Sequence, residues 1–273
     1  MHEVEVTKIN VATGEARKLK DCVAEEKPLH IFLNKNHYVT IFCSPQNLEE
    51  LAIGHILSEG LIKSVEEIER VNLSEAICEV TVKSNIDLDK RLKHLKNFSR
   101  IIVSACGGPY QPYEKLPKIK SDLKVKAEII QNCVNKLNFI AETFRKTGGV
   151  HAAAIYESNG QLKAFAEDIG RHNAVDKVIG LVALNKSDFS KCFLALSGRL
   201  TGDITSKAAR VGLPIVASLA AAVDSGINIA KEADLTLIGF VRGKRMNIYN
   251  CGKRIIIRSI KKGQIPDSSA SIA

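Results

Sequence analysis

The chain of 273 residues contains no tryptophan, two methionines and five tyrosines, and several familiar signatures are missing from it. No apolar run approaches the ~20 residues needed to cross a bilayer. The longest, Ile215 to Val223, is rich in alanine and broken by Ser218. The opening Met-His-Glu-Val-Glu-Val is too acidic and polar for a secretory signal, which predicts a cytoplasmic chain without membrane association. No Cys-x-x-Cys occurs among the seven cysteines, against a zinc ribbon or a dithiol redox motif. Neither Gly-x-x-x-x-Gly-Lys-Ser/Thr nor Gly-x-Gly-x-x-Gly is present, which argues against ATP hydrolysis and a standard dinucleotide fold. His151 is followed by Ala152 and Ala153 rather than by x-Glu, so zinc deamination is excluded and no metal ligands are expected.

What is present supports a folded protein. Hydrophobic residues make up 45% of the chain, enough for a real core. At roughly 150 residues per domain the length suits one large or two modest domains. Lys and Arg number 39 against 30 Asp and Glu. From Arg242 to Lys262 lie eight cations and no acid, a pattern open to a solvated face, a nucleic-acid patch or an anion site. No helix-turn-helix, RNA-recognition or zinc-finger pattern accompanies it, so nucleic acid stays open as a partner but unsupported by any motif.

The first part reads as small β structure with a helix. Leu29 to Leu33 and Tyr38 to Cys43 flank the turn Asn34 to His37, and Ser44-Pro45 reads as the start of a helix that Gly60 closes. Cys78, Val80 and Val82 alternate with polar residues as on a half-buried strand. A boundary is expected in the charged stretch 85–100, giving an N-terminal α+β subdomain (1–98) and a main domain (99–273). Ile101 to Ser104 reads as a strand leading into Ala105-Cys106-Gly107-Gly108-Pro109. Ile130, Cys133, Leu137, Ile140 and Phe144 recur at helical spacing up to Gly148-Gly149. Strands are then predicted at 151–156, 161–166, 192–197, 214–218 and 235–241, and helices at 173–184, 203–211 and 222–232. The alternation implies a layered α/β domain.

Four segments can carry chemistry. Cys106 follows a strand in a glycine loop that leaves a thiol unobstructed, although an ordinary loop cysteine fits the spacing equally. Cys43, Cys78, Cys133 and Cys192 sit in apolar segments and read as buried small hydrophobes. His151 fits a core histidine better than a ligand group. Glu167 to Asn173 packs two acids, Arg171 and His172 between a strand and a helix, where α/β folds place ligands, and reads as a functional loop. The following Asp176-Lys177 reads as a surface ion pair. Ser197-Gly198-Arg199 precedes a helix N-terminus and offers an anion site with Arg199.

In order, Thr147 to Ala153, Glu167 to Lys177, Ser197 to Arg199, Leu237 to Arg242 and Asn247 to Tyr249 resemble the formate dehydrogenase accessory sulfurtransferase family (FdhD). Pro28 to Ile62 is similar to that family's N-terminal portion, so the resemblance spans most of residues 25–250. It implies a three-layer α/β/α core similar to cytidine deaminase, with a smaller N-terminal α+β subdomain, and a cytoplasmic homodimer. It implies a sulfurtransferase that receives sulfur from a cysteine desulfurase as a persulfide on Cys106. The sulfur would pass to the molybdenum (or tungsten) bis-molybdopterin guanine dinucleotide cofactor destined for the formate dehydrogenase catalytic subunit. The cofactor-contacting strand end maps onto Phe240, Val241, Arg242, Gly243, Lys244 and Arg245, with Arg199, Arg171 and His172 as further candidates. Many members carry a second cysteine where this chain has Pro109, so its loop reads Cys-Gly-Gly-Pro. One sulfur can both accept and donate the terminal atom, so a single-cysteine relay suffices. The departure also admits a cofactor-binding chaperone without transferase activity. A Cys106–His172 hydrolase is a further alternative, but no sequence feature pairs those residues.

Overall fold

The computed structural model describes residues 1–93, 101–102 and 116–257. The Cys106 loop and the cations Arg258, Lys261 and Lys262 lie outside the described residues.

The chain starts with an exposed ribbon of β1 (His2–Asn10) and β2 (Glu15–Val23), paired along their whole length. Glu5–Lys18 and Glu3–Lys20 ion pairs decorate one face, as suits a ribbon in water. Sequence reasoning did not foresee it, because it has charge alternation and almost no core. Strands β3 (Lys27–Leu33) and β4 (Asn36–Cys43) form the expected hairpin. Helix α1 (Leu48–Ser58) begins later than Ser44-Pro45 suggested, with Asn47 in the left-handed region as its N-cap. Ser44 is buried and has another task, described below. After β5 (Ile68–Ser74), β6 (Ile77–Val82), α2 (Leu88–Lys93) and β7 (Ile101–Ile102), the first sheet is complete in the order β5-β6-β3-β4-β7.

The main sheet follows β8 (Val125–Lys126), α3 (Ala127–Ile140) and α4 (Glu142–Thr147). The single helix expected up to Gly148 is therefore two, broken at Ala141, whose ψ of 85° is not helical. Gly148, at φ 65°, caps the second. The remaining elements are β9 (His151–Glu157), β10 (Leu162–Asp168), α5 (Arg171–Leu184), β11 (Cys192–Leu196), α6 (Gly202–Arg210), β12 (Ile215–Ser218), α7 (Asp224–Ala233), β13 (Thr236–Arg242), β14 (Arg245–Asn250) and β15 (Ile255–Ile256). Six of them pair in the order β10-β9-β11-β12-β13-β14, with β11, β12 and β13 parallel.

Both faces of this sheet are covered. Leu194, Leu196, Val216 and Leu237 point into one core with α5, α6, α7 and α1, and that core continues into the first sheet. Their neighbours Phe193, Ala195, Ile215, Ala217 and Ile238 point into a second core with Ile130, Val134 and Leu137 of α3. Near-continuous apolar strands are what a sheet buried on both faces requires. The result is the three-layer α/β/α arrangement. Among the described residues no helix is long and apolar enough to cross a membrane.

Helices α1 and α5 join the two sheets at the closest possible range. A Cβ on Gly54 would overlap the Asp176 carbonyl, and one on Gly180 would overlap the Glu50 carbonyl. Only glycine at both positions lets the backbones touch.

Candidate functional site

The segments singled out in the sequence meet at one edge of the main sheet. Asp168 at the end of β10 is opposite His151 at the start of β9. Leu196, ending β11, is opposite Ala153 on one side and Ser218 on the other. The loops after β10, β11, β12 and β13 therefore leave together, the usual position of ligand crevices in α/β sheets. Between them and the α3–α4 junction lies a cleft of about 390 Å³. Its walls are Asn138 and Phe144, Gly148 to His151, Ile169, Ser197 and Leu219.

His151 is thus on the cleft wall and only partly buried, not in the core as expected. Its Nδ1 lies 3.3 Å from Ser197 Oγ, which accepts the Ala152 N–H at 3.0 Å. Burial, with Arg171 and then Arg199 nearby, pushes the imidazole below the ordinary histidine range despite Asp168. Ser218 ties two of the loops together: its hydroxyl donates to the Gly198 carbonyl at 2.6 Å and accepts from Ala220 N–H at 2.9 Å. Ser218 and Leu219 were missed as site residues. Their signal was the end of a short strand parallel to its neighbours.

The strand end Phe240 to Arg245 sits at the same edge. Phe240 has φ 51°, a left-handed conformation that bulky residues rarely adopt, and its N–H donates to the Ala220 carbonyl at 2.9 Å. Arg242 Nε donates to the Leu219 carbonyl at 2.8 Å, and its guanidinium lies 5.8 Å from the Phe240 ring centroid. The Gly243 carbonyl accepts from Gln131 and, at 3.3 Å, from Asn135 of α3. Val241 is fully buried, whereas Arg242, Gly243, Lys244 and Arg245 are exposed. The basic stretch is not uniformly free. Arg254 is buried and donates to the carbonyls of Asp234 and Ile119, and Lys253 pairs with Asp234. Arg199 is exposed, while the Arg171 side chain lies against Gly198, where a Cβ would stand 3.0 Å from Arg171 Cβ.

Several side chains of the polar segment Glu167 to Lys177 make structural bonds. Glu167 accepts the first N–H groups of α4, from Thr143 at 3.0 Å and Phe144 at 2.8 Å. Asp168 is fully buried and accepts from Ser44 N–H, Gly170 N–H and Asn173 Nδ2 at 2.8–3.0 Å. Asp176 and Lys177 are not a surface pair. Both are buried and they point to different partners. Lys177 Nζ reaches Asp168 at 2.7 Å and the Ser44 carbonyl at 3.0 Å. Asp176 accepts from His55 Nδ1 (3.1 Å), Ser58 Oγ (2.7 Å) and Lys207 Nζ (3.0 Å), and Lys207 also pairs with Glu59 at 2.8 Å. These networks fasten the first sheet and α1 to the main sheet. His172 lies in the same layer, nine-tenths buried and 3.8 Å from Asp203. Burial and the Lys207 and Arg171 charges push its pKa down to about 3, so it is neutral at physiological pH.

The described thiols behave as the sequence suggested. Cys43 and Cys78 are buried and pushed up to about 12, and Cys133 and Cys192 to about 11, by burial above all. Cys251 is half-buried between Asp234 and Arg254 and also raised, first by burial. Among the described residues no cluster of three His, Cys, Asp or Glu side chains could hold a metal ion.

A largely apolar cleft with a few polar groups, at the carboxyl ends of the parallel strands of a layered α/β fold, has the form of a small-molecule or group-carrying site. The comparisons specify which kind. Residues 24–256 match the model of the FdhD/NarQ family, and the chain belongs to that family. It is 39% identical to the sulfur carrier protein FdhD of Saccharolobus solfataricus, covering 90% of this chain and 96% of the relative. Identity to the protein of the same name from Methanothermobacter thermautotrophicus is 38% (89% and 94% covered), and to that of Bacillus subtilis 35% (89% and 93%). A crystal structure described as a formate dehydrogenase accessory protein of Desulfotalea psychrophila superposes with a TM-score of 0.77 at 27% identity, covering 93% of this chain and 99% of that one. The β1–β2 ribbon precedes the family match.

Proposed function

We propose that this chain is a sulfurtransferase that carries sulfur as a persulfide on Cys106. It takes the sulfur from a cysteine desulfurase and delivers it to the molybdenum or tungsten bis-molybdopterin guanine dinucleotide cofactor of a formate dehydrogenase. In the loading step the Cys106 thiolate attacks the terminal sulfur of the donor persulfide. A new S–S bond forms, the donor's S–S bond breaks, and the donor leaves as a thiolate, with no net oxidation. The protein acts as a cytoplasmic homodimer.

The observation that carries this reading is a cleft lined by Gly148 to His151, Ile169 and Ser197, from three of the segments that carry the resemblance, in a chain close to proteins named sulfur carriers. The cofactor is here a substrate, and the residues suit it. About 390 Å³ accommodates a fused heterocycle, and Arg242, bonded to the cleft-lining Leu219, and the exposed Arg199, two residues beyond the cleft-lining Ser197, are cations suited to phosphates. The buried thiols, with pKa values raised, are poor alternatives to Cys106.

Pro109, in place of a second cysteine, favours a second reading: a cofactor-binding chaperone without sulfur transfer. Formate dehydrogenase activity in cells lacking their own relative separates the two. The transferase requires that Cys106→Ala restores no activity while the unmodified chain does. Full restoration by Cys106→Ala would leave only the chaperone.

A further inference from the structure

His151 is anchored on one side and open on the other. Its Nδ1 faces Ser197 Oγ at 3.3 Å, and that oxygen already accepts the Ala152 N–H at 3.0 Å. A serine hydroxyl has one proton and two lone pairs. With one lone pair given to Ala152, the proton has a single acceptor among the described residues, the imidazole Nδ1. The ring's own N–H is then on Nε2. That nitrogen has no protein partner among the described residues and is not shut away from solvent, on a residue lining the cleft.

The charges around the ring agree. Arg171 at the start of α5 and Arg199 after β11 oppose protonation, outweighing Asp168 at the end of β10. Asp168 is itself occupied by Lys177, Ser44, Gly170 and Asn173. A second proton on the ring would add a third cation beside two arginines.

We propose that Ser197 fixes His151 as the neutral Nε2–H tautomer, and that this N–H is the donor by which the cleft recognises a lone-pair acceptor on its ligand. The acceptor is a carbonyl or ring nitrogen of the cofactor's heterocycle, or the terminal sulfur of a persulfide. Ser197 is a positioning residue and His151 the ligand contact. An imidazolium would attract any anion, whereas a neutral donor held in one orientation selects by where the lone pair sits. Only the identity of the ligand rests on the sulfur-carrier reading; the tautomer does not.

Nitrogen-15 NMR of the full chain labelled at histidine tests it. The expected result is an unprotonated Nδ1 and a protonated Nε2 on His151 at neutral pH, with a second proton taken up only below the ordinary histidine range. Ser197→Ala should lose the preference and Ser197→Thr, which keeps the hydroxyl, should retain it. An Nδ1–H tautomer, or a Ser197→Ala spectrum like the parent's, overturns the positioning role. For recognition, GDP and persulfide loading of Cys106 are separate additions. A moved Nε2 resonance with GDP identifies a heterocycle acceptor, and one with the persulfide identifies sulfur. His151→Ala should weaken the matching step roughly 10- to 100-fold, with recovery in His151→Gln, which keeps an N–H donor. If neither addition moves Nε2 and His151→Ala is unimpaired, the recognition role is wrong. A Cys106→Ala chain that restores full formate dehydrogenase activity would remove the sulfur-carrier reading and leave the tautomer result standing.

Discussion

Replacing Lys177 by methionine should destabilise the protein more than any surface change. Lys177 and Asp168 are both 0% exposed, with Nζ 2.7 Å from Oδ2. At an effective dielectric of about 20 that separation corresponds to roughly 6 kcal/mol of attraction before desolvation is counted. Methionine fills nearly the same volume, so little of the effect comes from a cavity. What remains is a buried carboxylate held by three neutral donors, Ser44 N–H, Gly170 N–H and Asn173 Nδ2. Breaking such a pair from one side costs about 3–5 kcal/mol, a large part of the 5–15 kcal/mol typical of whole domains. Urea unfolding followed by circular dichroism measures it as a shift in midpoint at constant slope. The double variant Asp168→Asn/Lys177→Met removes the stranded charge and should recover more than half the loss. A single-variant cost below about 1 kcal/mol, or a double variant no better than the single, would refute the assignment of this pair as a buried staple.

Three other outcomes follow from the same geometry. Gly180→Ala, which drives a Cβ into the Glu50 carbonyl, should cost at least about 1–3 kcal/mol and lower the melting temperature; an unchanged melt would mean that α1 and α5 separate freely. His172 is held at about 3 in the folded protein against an ordinary 6.5. Its contribution to stability is therefore complete above pH 6.5 and is lost as pH falls towards 3, so His172→Gln should flatten the stability profile across that window and not above it. Cysteine alkylation at neutral pH, read by peptide mass spectrometry, should spare Cys43, Cys78, Cys133 and Cys192 in the folded chain; rapid labelling of any of them would contradict their burial.

The main sheet and its helices were readable because they carry strong periodic signals between glycine and proline punctuation. Strands β9 to β13 and helices α5 to α7 lie within two residues of expectation at each end. The ribbon at His2 to Val23 was not readable, since cross-strand ion pairs rather than a core decorate it. Ser44-Pro45 carries a local helix-start signal, but Ser44 is engaged by Asp168 and Lys177, more than 120 residues away. Local sequence does not record such a partner. The same limit explains Asp176-Lys177. Two adjacent charges on a helix look solvated until another layer with its own counter-charges covers them. Of the site, the converging segments were legible, whereas the place of His151 on the cleft wall depended on which loops the sheet order brings beside it.

The most direct measurement is the mass of the Cys106 peptide after incubation with a cysteine desulfurase and free cysteine, without reductant. The sulfur-carrier account predicts a gain of about 32 Da on that peptide alone, reversed by dithiothreitol and absent from Cys106→Ala. An unmodified Cys106 peptide under conditions where the desulfurase carries its own persulfide, or the same gain on a different cysteine, would contradict it.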